Sequence, residues 1–364
     1  MSIDSDPDRG GLAARLAAAR RADGRARARL SAGIDDFFLG EQDRLDDRMR
    51  LLVTQMLDGI VRGIETDIRG HATRLLSGHA GKSGAAVMSI GQGRVTDRLA
   101  RAGLLRDRPL MDELIARARG DVIAQALPID PADAHVPSLL IRLAESGDSV
   151  VAAAARAMLA AETQRRAAAG DVMRPSDLPA DLHHRLLWWI AAAIRETALA
   201  AAGDDPAIDR AIVDAAQRSL SAHDEGDRAE SIGMRLALAI DARADELGPL
   251  LVESLRDRRL ILFIACIAHA LQVDYEGARA LVLEPESDRL WLALRACDLD
   301  RATVARIGLS LADADPRRDL DRFADEIDLI AAIPVDVART ALAPLTLHHD
   351  LRLAIDALAR TDER

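Results

Sequence analysis

Two adjacent histidines give this sequence its clearest capacity for chemistry. His183 and His184 precede Arg185 near the start of a predicted helix. An exposed imidazole on a helical bundle can accept a phosphoryl group, provided that it has no role in the core. Neighbouring helical residues point about 100° apart, so one histidine can be exposed while the other packs. No ATP-binding motif follows the pair. We interpret both residues as ordinary polar positions in a first helical turn, with a histidine phosphotransfer module as an alternative.

The other residues that could carry chemistry lack the context that their chemistry needs. His348-His349-Asp350 could contribute to a metal site, but three consecutive helical residues cannot all face one ion. Gly91-Gln92-Gly93 has the start of a phosphate-binding loop without a preceding strand or the remaining spacing of a dinucleotide fingerprint. The sequence contains no Gly-x-Ser-x-Gly elbow. We therefore predict no catalytic, cofactor-binding or metal-binding residue, and no enzymatic activity.

The three tryptophans could line a groove for nucleic acid, as in helical-repeat enzymes that process bases. Trp188 and Trp189 lie in an almost unbroken apolar run, and Trp291 lies in another. We expect at least two of the three to pack in the core. A nucleic-acid-processing helical-repeat protein is kept as a second alternative, which would require a basic stripe along the binding face.

Composition favours an all-helical chain. About half of the residues are apolar, mostly Ala and Leu, and aromatic residues make up 2%. Ala, Leu, Arg and Glu are strong helix formers. The net charge of −11 disfavours general binding to DNA or RNA, because phosphate neutralisation needs clustered Lys and Arg.

Cysteine use and hydropathy indicate an intracellular chain without a membrane span. Cys266 and Cys297 both lie in apolar helical patterns, which is typical of small buried side chains in a reducing compartment. The longest apolar run, 260–271, is shorter than the roughly 20 residues that a bilayer helix needs. We expect a cytoplasmic location, no membrane partner and no nucleic-acid partner.

The N-terminal part is predicted to contain a partly flexible arm, 1–40, and a long helix, 41–76, within a helical domain that ends at residue 127. An apolar residue recurs along the helix every three or four positions. Gly59, Gly63 and Gly70 lie beside this ridge and indicate a close-packing face, since glycine inside a helix costs roughly 1 kcal/mol. We expect packing within the chain, with a homodimer through this face as the alternative.

From Pro128 onward the pattern is that of short helical hairpins. A leucine-rich helix, a Ser146-Gly147-Asp148 turn and an alanine-rich helix form a unit typical of HEAT repeats. A motif with an aspartate cap then recurs at Asp274, Asp300 and Asp336, where each carboxylate can accept from the first amides of a helix. The intervals are irregular. We predict an all-α fold with an N-terminal helical segment and an irregular HEAT-like α-solenoid over residues 128–364.

Three stretches resemble an uncharacterised bacterial family, a domain of unknown function that is all-helical and HEAT-like. They are residues 46–69, 181–189 and 274–295. None contains a catalytic signature, so the resemblance implies the fold and no activity. A solenoid presents an extended surface for binding. We therefore expect a non-enzymatic scaffold or regulatory adaptor that binds another protein.

Overall fold

A computed structural model describes residues 44–79, 86–129, 137–167, 177–348 and, near the C-terminus, 351–352, 354–355 and 358. These residues form fifteen α-helices and no strand, which confirms the predicted all-α class. The predicted arm, 1–40, lies outside the described residues. Contacts divide the chain into two compact units, residues 1–50 and 51–364. The boundaries after residues 40 and 127 stay predictions.

After the first helix of 33 residues, the helices have between 6 and 23 residues, with turns of a few residues between many of them. The helices are α1 (Asp47–His79), α2 (Val95–Ala102), α3 (Arg108–Ala126), α4 (Leu139–Ala144), α5 (Ser149–Ala167), α6 (Ala180–Ala202), α7 (Pro206–Ala222), α8 (Ala229–Ile240), α9 (Ala244–Arg256), α10 (Leu260–Leu271), α11 (Tyr275–Leu283), α12 (Asp288–Ala296), α13 (Arg301–Ala314), α14 (Leu320–Ala332) and α15 (Val335–Leu342).

Helix α1 begins later than the predicted 41–76. Residues 44–46 are not helical, because the Asp46 side chain caps the helix by accepting a hydrogen bond from the Met49 amide at 2.6 Å. The apolar ridge is buried as expected at Leu52, Met56, Ile60, Ile64 and Ile68.

The glycine stripe on α1 is not packed along its whole length. Gly59 is buried and Gly63 half-buried, but Gly70 is exposed, with no heavy atom within 4 Å of where a Cβ would stand. The close-packing face is therefore interrupted at Gly70. A homodimer through this face stays a prediction.

Aspartate caps define several of the hairpins. The Asp148 carboxylate accepts from the Val150 amide at 2.8 Å at the start of α5. Asp274 and Asp300 cap α11 and α13 by accepting from Gly277 and Thr303, at 2.6 and 2.9 Å. These three predictions are confirmed.

The expected cap at Asp336 is wrong. A capping side chain must precede the first helical residue, and Pro334 occupies that position before α15. Asp336 is the second residue of the helix. The periodic motif located this element correctly and placed its start two residues too late.

The hairpins do not simply stack in chain order. Helices α4 and α5 pair, and α5 packs directly against α8, although α6 and α7 intervene in the sequence. Helix α6 pairs with α7 and packs on α2 instead. Helix α3, which the sequence placed in the N-terminal domain, contacts α10, α11 and α13. A HEAT-like solenoid stays a prediction.

The main hydrophobic core surrounds α10. Most of this helix is buried, including Phe263 and Cys266. Burial raises the pKa of the Cys266 thiol to about 12, and that of Cys297 to about 12. Both thiols are free and buried, as predicted.

In the part of the chain described, no single helix has the length and apolarity to cross a membrane. Two bent pairs, Leu260–Leu271 with Tyr275–Leu283 and Leu320–Ala332 with Val335–Thr346, reach that threshold jointly, by length and composition only.

Candidate functional site

A buried group of charged side chains lies where α3 meets the start of α8 and helix α11. We call it the ion network. Its side chains are between 3% and 13% exposed. Isolated buried charges are strongly destabilising, so such groups occur in the interior only when paired. The members are Glu113 and Arg117 on α3, Arg228 and Glu230 at the start of α8, and Arg279 on α11.

Two short ion pairs connect the three elements. The Arg117 Nη2 donates to Glu230 Oε1 at 2.6 Å, and the Arg279 Nη2 donates to Glu113 Oε2 at 2.6 Å. Arg228 lies between them at 3.7 Å from both Glu113 and Glu230, within ion-pair range but beyond hydrogen-bonding distance. The network therefore fixes α3 against α8 and α11.

Electrostatics keep the network charged. Burial by itself lowers the pKa of Arg117, but the carboxylates of Glu230 and Glu113 outweigh it and raise the pKa above the ordinary value. The same balance, with Glu113 as the main carboxylate, raises the pKa of Arg279. Arginine side chains that are paired in this way connect helices. They stay protonated at any physiological pH, so they do not release protons for acid–base chemistry.

Next to the network, two loop strips face each other. We define the junction as residues 177–183, leading into α6, together with residues 223–230, leading into α8. The Arg117 Nη2 also donates to the Asp177 carbonyl at 3.1 Å. The Ala180 amide donates to Glu225 Oε1 at 3.0 Å. These bonds attach the start of α6 to the strip before α8.

The third connection across the junction is a pair of stacked histidines. His183 is 2% exposed, and its ring lies on that of His223 with centroids 4.3 Å apart and an interplanar angle of 17°. The Nδ1 of His183 and the Nε2 of His223 are buried without a hydrogen-bond partner among the described residues. Burial, followed by the proximity of His223 and His184, lowers the pKa of His183 to about 4.

The neighbouring His184 is exposed, and the Trp188 Nε1 donates to its Nε2 at 3.2 Å. The expectation that one histidine packs while the other is exposed is confirmed. The interpretation of both as ordinary polar positions is wrong for His183, which stacks on a residue at the end of the next helix. No sequence periodicity relates the two stacked rings, so this contact was not predictable from spacing.

The tryptophans are less buried than expected. Trp291 is 6% exposed and packs on Phe323, with ring centroids 4.5 Å apart. Trp188 and Trp189 are half-buried on α6. The prediction that at least two would lie in the core is wrong, because the buried face of α6 is formed by Leu186, Leu187 and Ile190, and Trp188 and Trp189 lie outside that face.

The Gly91-Gln92-Gly93 turn binds side chains of α1. The Gly93 amide lies 3.3 Å from the Glu65 carboxylate, and the Arg69 Nη1 donates to the carbonyls of Met88 and Ile90 at 2.5 and 3.1 Å. A loop that presents carbonyl oxygens to a buried arginine is not arranged to hold phosphate.

The second histidine pair is only partly described. His348 is exposed, and His349 and Asp350 lie outside the described residues. Across the described ranges, no group of three or more His, Cys, Asp or Glu side chains could hold a metal ion.

Exposed apolar side chains are concentrated near the C-terminus. Leu351, Ile355 and Leu358 are 50%, 46% and 71% exposed. Their spacing of four and three places them on one helical face, and the described residues of this segment are helical. We call these three residues the C-terminal ridge. Further exposed apolar side chains on the preceding elements are Leu309, Leu320, Leu329, Val337 and Leu347.

The C-terminal segment is attached to the rest of its unit by Arg352. Its Nη2 pairs with both carboxylate oxygens of Asp274 at 2.8 and 3.0 Å, and its Nη1 donates to the carbonyls of Leu345 and Leu347. The same Asp274 caps α11. The cap of a core helix thus also anchors the base of the ridge.

The fold and these sites define an all-α protein of helical hairpins with a buried ion network, whose C-terminal end exposes apolar residues. The chain belongs to the family DUF2336, described as uncharacterised protein conserved in bacteria, whose model matches residues 142–343. This range includes two of the three stretches that carry the resemblance and excludes residues 46–69. No curated protein and no solved structure matches the chain.

Proposed function

We propose that this chain is a non-enzymatic adaptor that binds another protein, and that the C-terminal ridge is its principal anchor. The supporting observation is the exposure of Leu351, Ile355 and Leu358 on one helical face. Apolar residues at positions i, i+4 and i+7 are the spacing by which an amphipathic helix binds an apolar groove of a partner.

Apolar exposure on the elements that precede the ridge strengthens the proposal. Here the last described elements expose Leu329 at 71% and Val337 at 53% in addition to the ridge. A partner that covers this surface would bury apolar area at roughly 25 cal/mol per Å². The occupant that we propose is a protein with an apolar groove.

The test places a photo-crosslinking amino acid at Ala354, which is exposed beside the ridge, in the full chain expressed in its own cells. We expect one protein to crosslink to the wild-type chain, and we expect this crosslink to be absent in Leu358→Glu. The matched control is Leu238→Glu on α8, an equally large change at a leucine that is 63% exposed. The control is expected to retain the crosslink.

Three outcomes would overturn the proposal. One is that no protein crosslinks to the wild-type chain with a crosslink that Leu358→Glu removes. Another is equal loss with both variants, which would indicate a general effect on folding. The third is a crosslink to a second copy of this chain, confirmed by a doubled mass in light scattering, which would make the ridge a dimer interface.

The two alternatives from sequence have less support. Histidine phosphotransfer would have to use His184, since the His183 ring is buried. Incubation with phosphorylated receiver domains tests it, and an acid-labile label that is lost in His184→Gln would support it. Nucleic-acid processing through the tryptophans would have to use Trp188 or Trp189, because Trp291 packs in the core.

A further inference from the structure

The α6–α7 hairpin is attached to the remainder of its unit at two ends with different chemistry. One end is the junction, where His183 stacks on His223. At the other end, Arg98 on α2 pairs with Glu196 on α6 at 2.7 Å. Near this pair, a Cβ at Gly91 would come within 2.7 Å of Thr197 Cγ2, so the turn before α2 lies directly against α6. Since α5 packs against α8 without the hairpin, that contact does not require α6 and α7 to stay in place.

We propose that the stacked His183–His223 pair is an acid-sensitive latch, which holds the α6–α7 hairpin closed at neutral pH and releases its junction end when protonated. In the closed state the buried ring of His183 stacks on the half-buried ring of His223. A proton on His183 would introduce a buried charge, and a second proton on His223 would place like charges 4.3 Å apart.

The neighbouring charged groups give a protonated pair little compensation. On α6, Asp181 pairs with Arg185, which also binds Asp107 before α3. On the opposite strip, Asp224 accepts from the Gly226 amide, and Glu225 accepts from Ala180 and lies 3.7 Å from Arg228. The groups that perturb the His183 imidazole are His223 and His184, and each repels a proton there. These carboxylates are thus directed at other donors, and Glu230 in the same strip pairs with Arg117.

The direction of the pH effect follows from the lowered pKa of His183. The closed state holds this ring neutral down to about pH 4, whereas a solvated histidine binds its proton near pH 6.5. Between these values the open state binds more protons, so closure is complete at neutral pH and weakens as the pH falls from about 6.5 to about 4. Over the whole window, the closing equilibrium weakens on the order of 300-fold.

Hydrogen exchange of the full chain, corrected for the intrinsic rate at each pH, tests the latch. We expect amide protection at the start of α6 and the end of α7 to fall between pH 6.5 and 4, while α10 stays protected. His183→Phe keeps an aromatic ring of similar size and removes the titration, so its protection is expected to be independent of pH over this range. His71→Gln on α1 is the control and should behave as wild type.

Two further measurements keep the test decisive if His183→Phe does not fold. His223→Phe removes one repelling imidazole but leaves His183 buried, so the pH dependence should be reduced and not abolished. The ring protons of His183 should titrate near pH 4 in the wild-type protein. Wild-type protection that is constant from pH 7 to 4 would overturn the proposal. So would an unchanged pH dependence in the folded Phe variants, or a His183 titration near pH 6.5.

Discussion

Glu113 is the residue on which the ion network most depends, since its carboxylate lies near three cations. The distances from its oxygens are 2.6 Å to Arg279, 3.7 Å to Arg117 and 3.7 Å to Arg228. Its side chain is 5% exposed, so water cannot replace it at low cost. The network contributes mainly by neutralising arginines that the fold has already buried.

Replacing Glu113 with alanine should therefore strongly destabilise the protein. Removing one partner of a buried ion pair typically costs about 3–5 kcal/mol, because the remaining charge is left uncompensated. Urea denaturation should show a lower midpoint for Glu113→Ala. The control is Asp112→Ala on the same helix, whose carboxylate is 67% exposed and 3.5 Å from Arg108. That variant should stay within about 0.5 kcal/mol of wild type, and equal midpoints for the two variants would contradict this account.

Local residue roles were predictable from the sequence, and distant ones were not. Asp148, Asp274 and Asp300 cap the helices that follow them because a cap depends on bonds within three residues. The His183–His223 stack and the Glu113–Arg279 pair join residues on different helices. Helical periodicity identifies which face is buried, but it does not identify which other helix covers that face.

At the scale of elements, Asp274 has a second role that Asp300 lacks. Each caps a helix of the hairpin array, but Asp274 also pairs with Arg352 at the base of the C-terminal segment. The periodic cap motif made the two residues look equivalent. The difference arises from Arg352, which lies beyond the family match that ends at residue 343.

Asp274→Ala and Asp300→Ala should consequently differ in their effect on the C-terminal segment. Each loses a helix cap, at a cost of about 1 kcal/mol. Only Asp274→Ala also removes the ion pair of Arg352 with residue 274, so hydrogen exchange in residues 345–358 should accelerate in that variant and remain as in wild type in Asp300→Ala. Equal exchange of this segment in both variants would show that Arg352 does not hold it in place.

At the scale of the whole molecule, the family match does not include every helix of the core. Helix α3 precedes residue 142, yet it contacts α10, α11 and α13 and supplies two members of the ion network. The sequence predicted the all-α class from composition, since helix formers dominate throughout. It placed α3 with the N-terminal helices because Pro128 and Pro131 mark a break in the pattern. Helices before and after such a break in local structure can still pack against each other.

A fragment of residues 138–364 should therefore fail to fold cooperatively, although it contains the whole family match. Without α3, Arg279 and Arg228 lose Glu113, Glu230 loses Arg117, and apolar surface on α10 and α13 becomes exposed. A fragment of residues 44–364 keeps all of these contacts and also the Asp46 cap at the start of α1. Thermal denaturation followed by circular dichroism should give a sharp transition for the longer fragment and a broad one for the shorter. A sharp transition for residues 138–364 at the temperature of the longer fragment would show that α3 is dispensable and that the predicted boundary after residue 127 separates independent units.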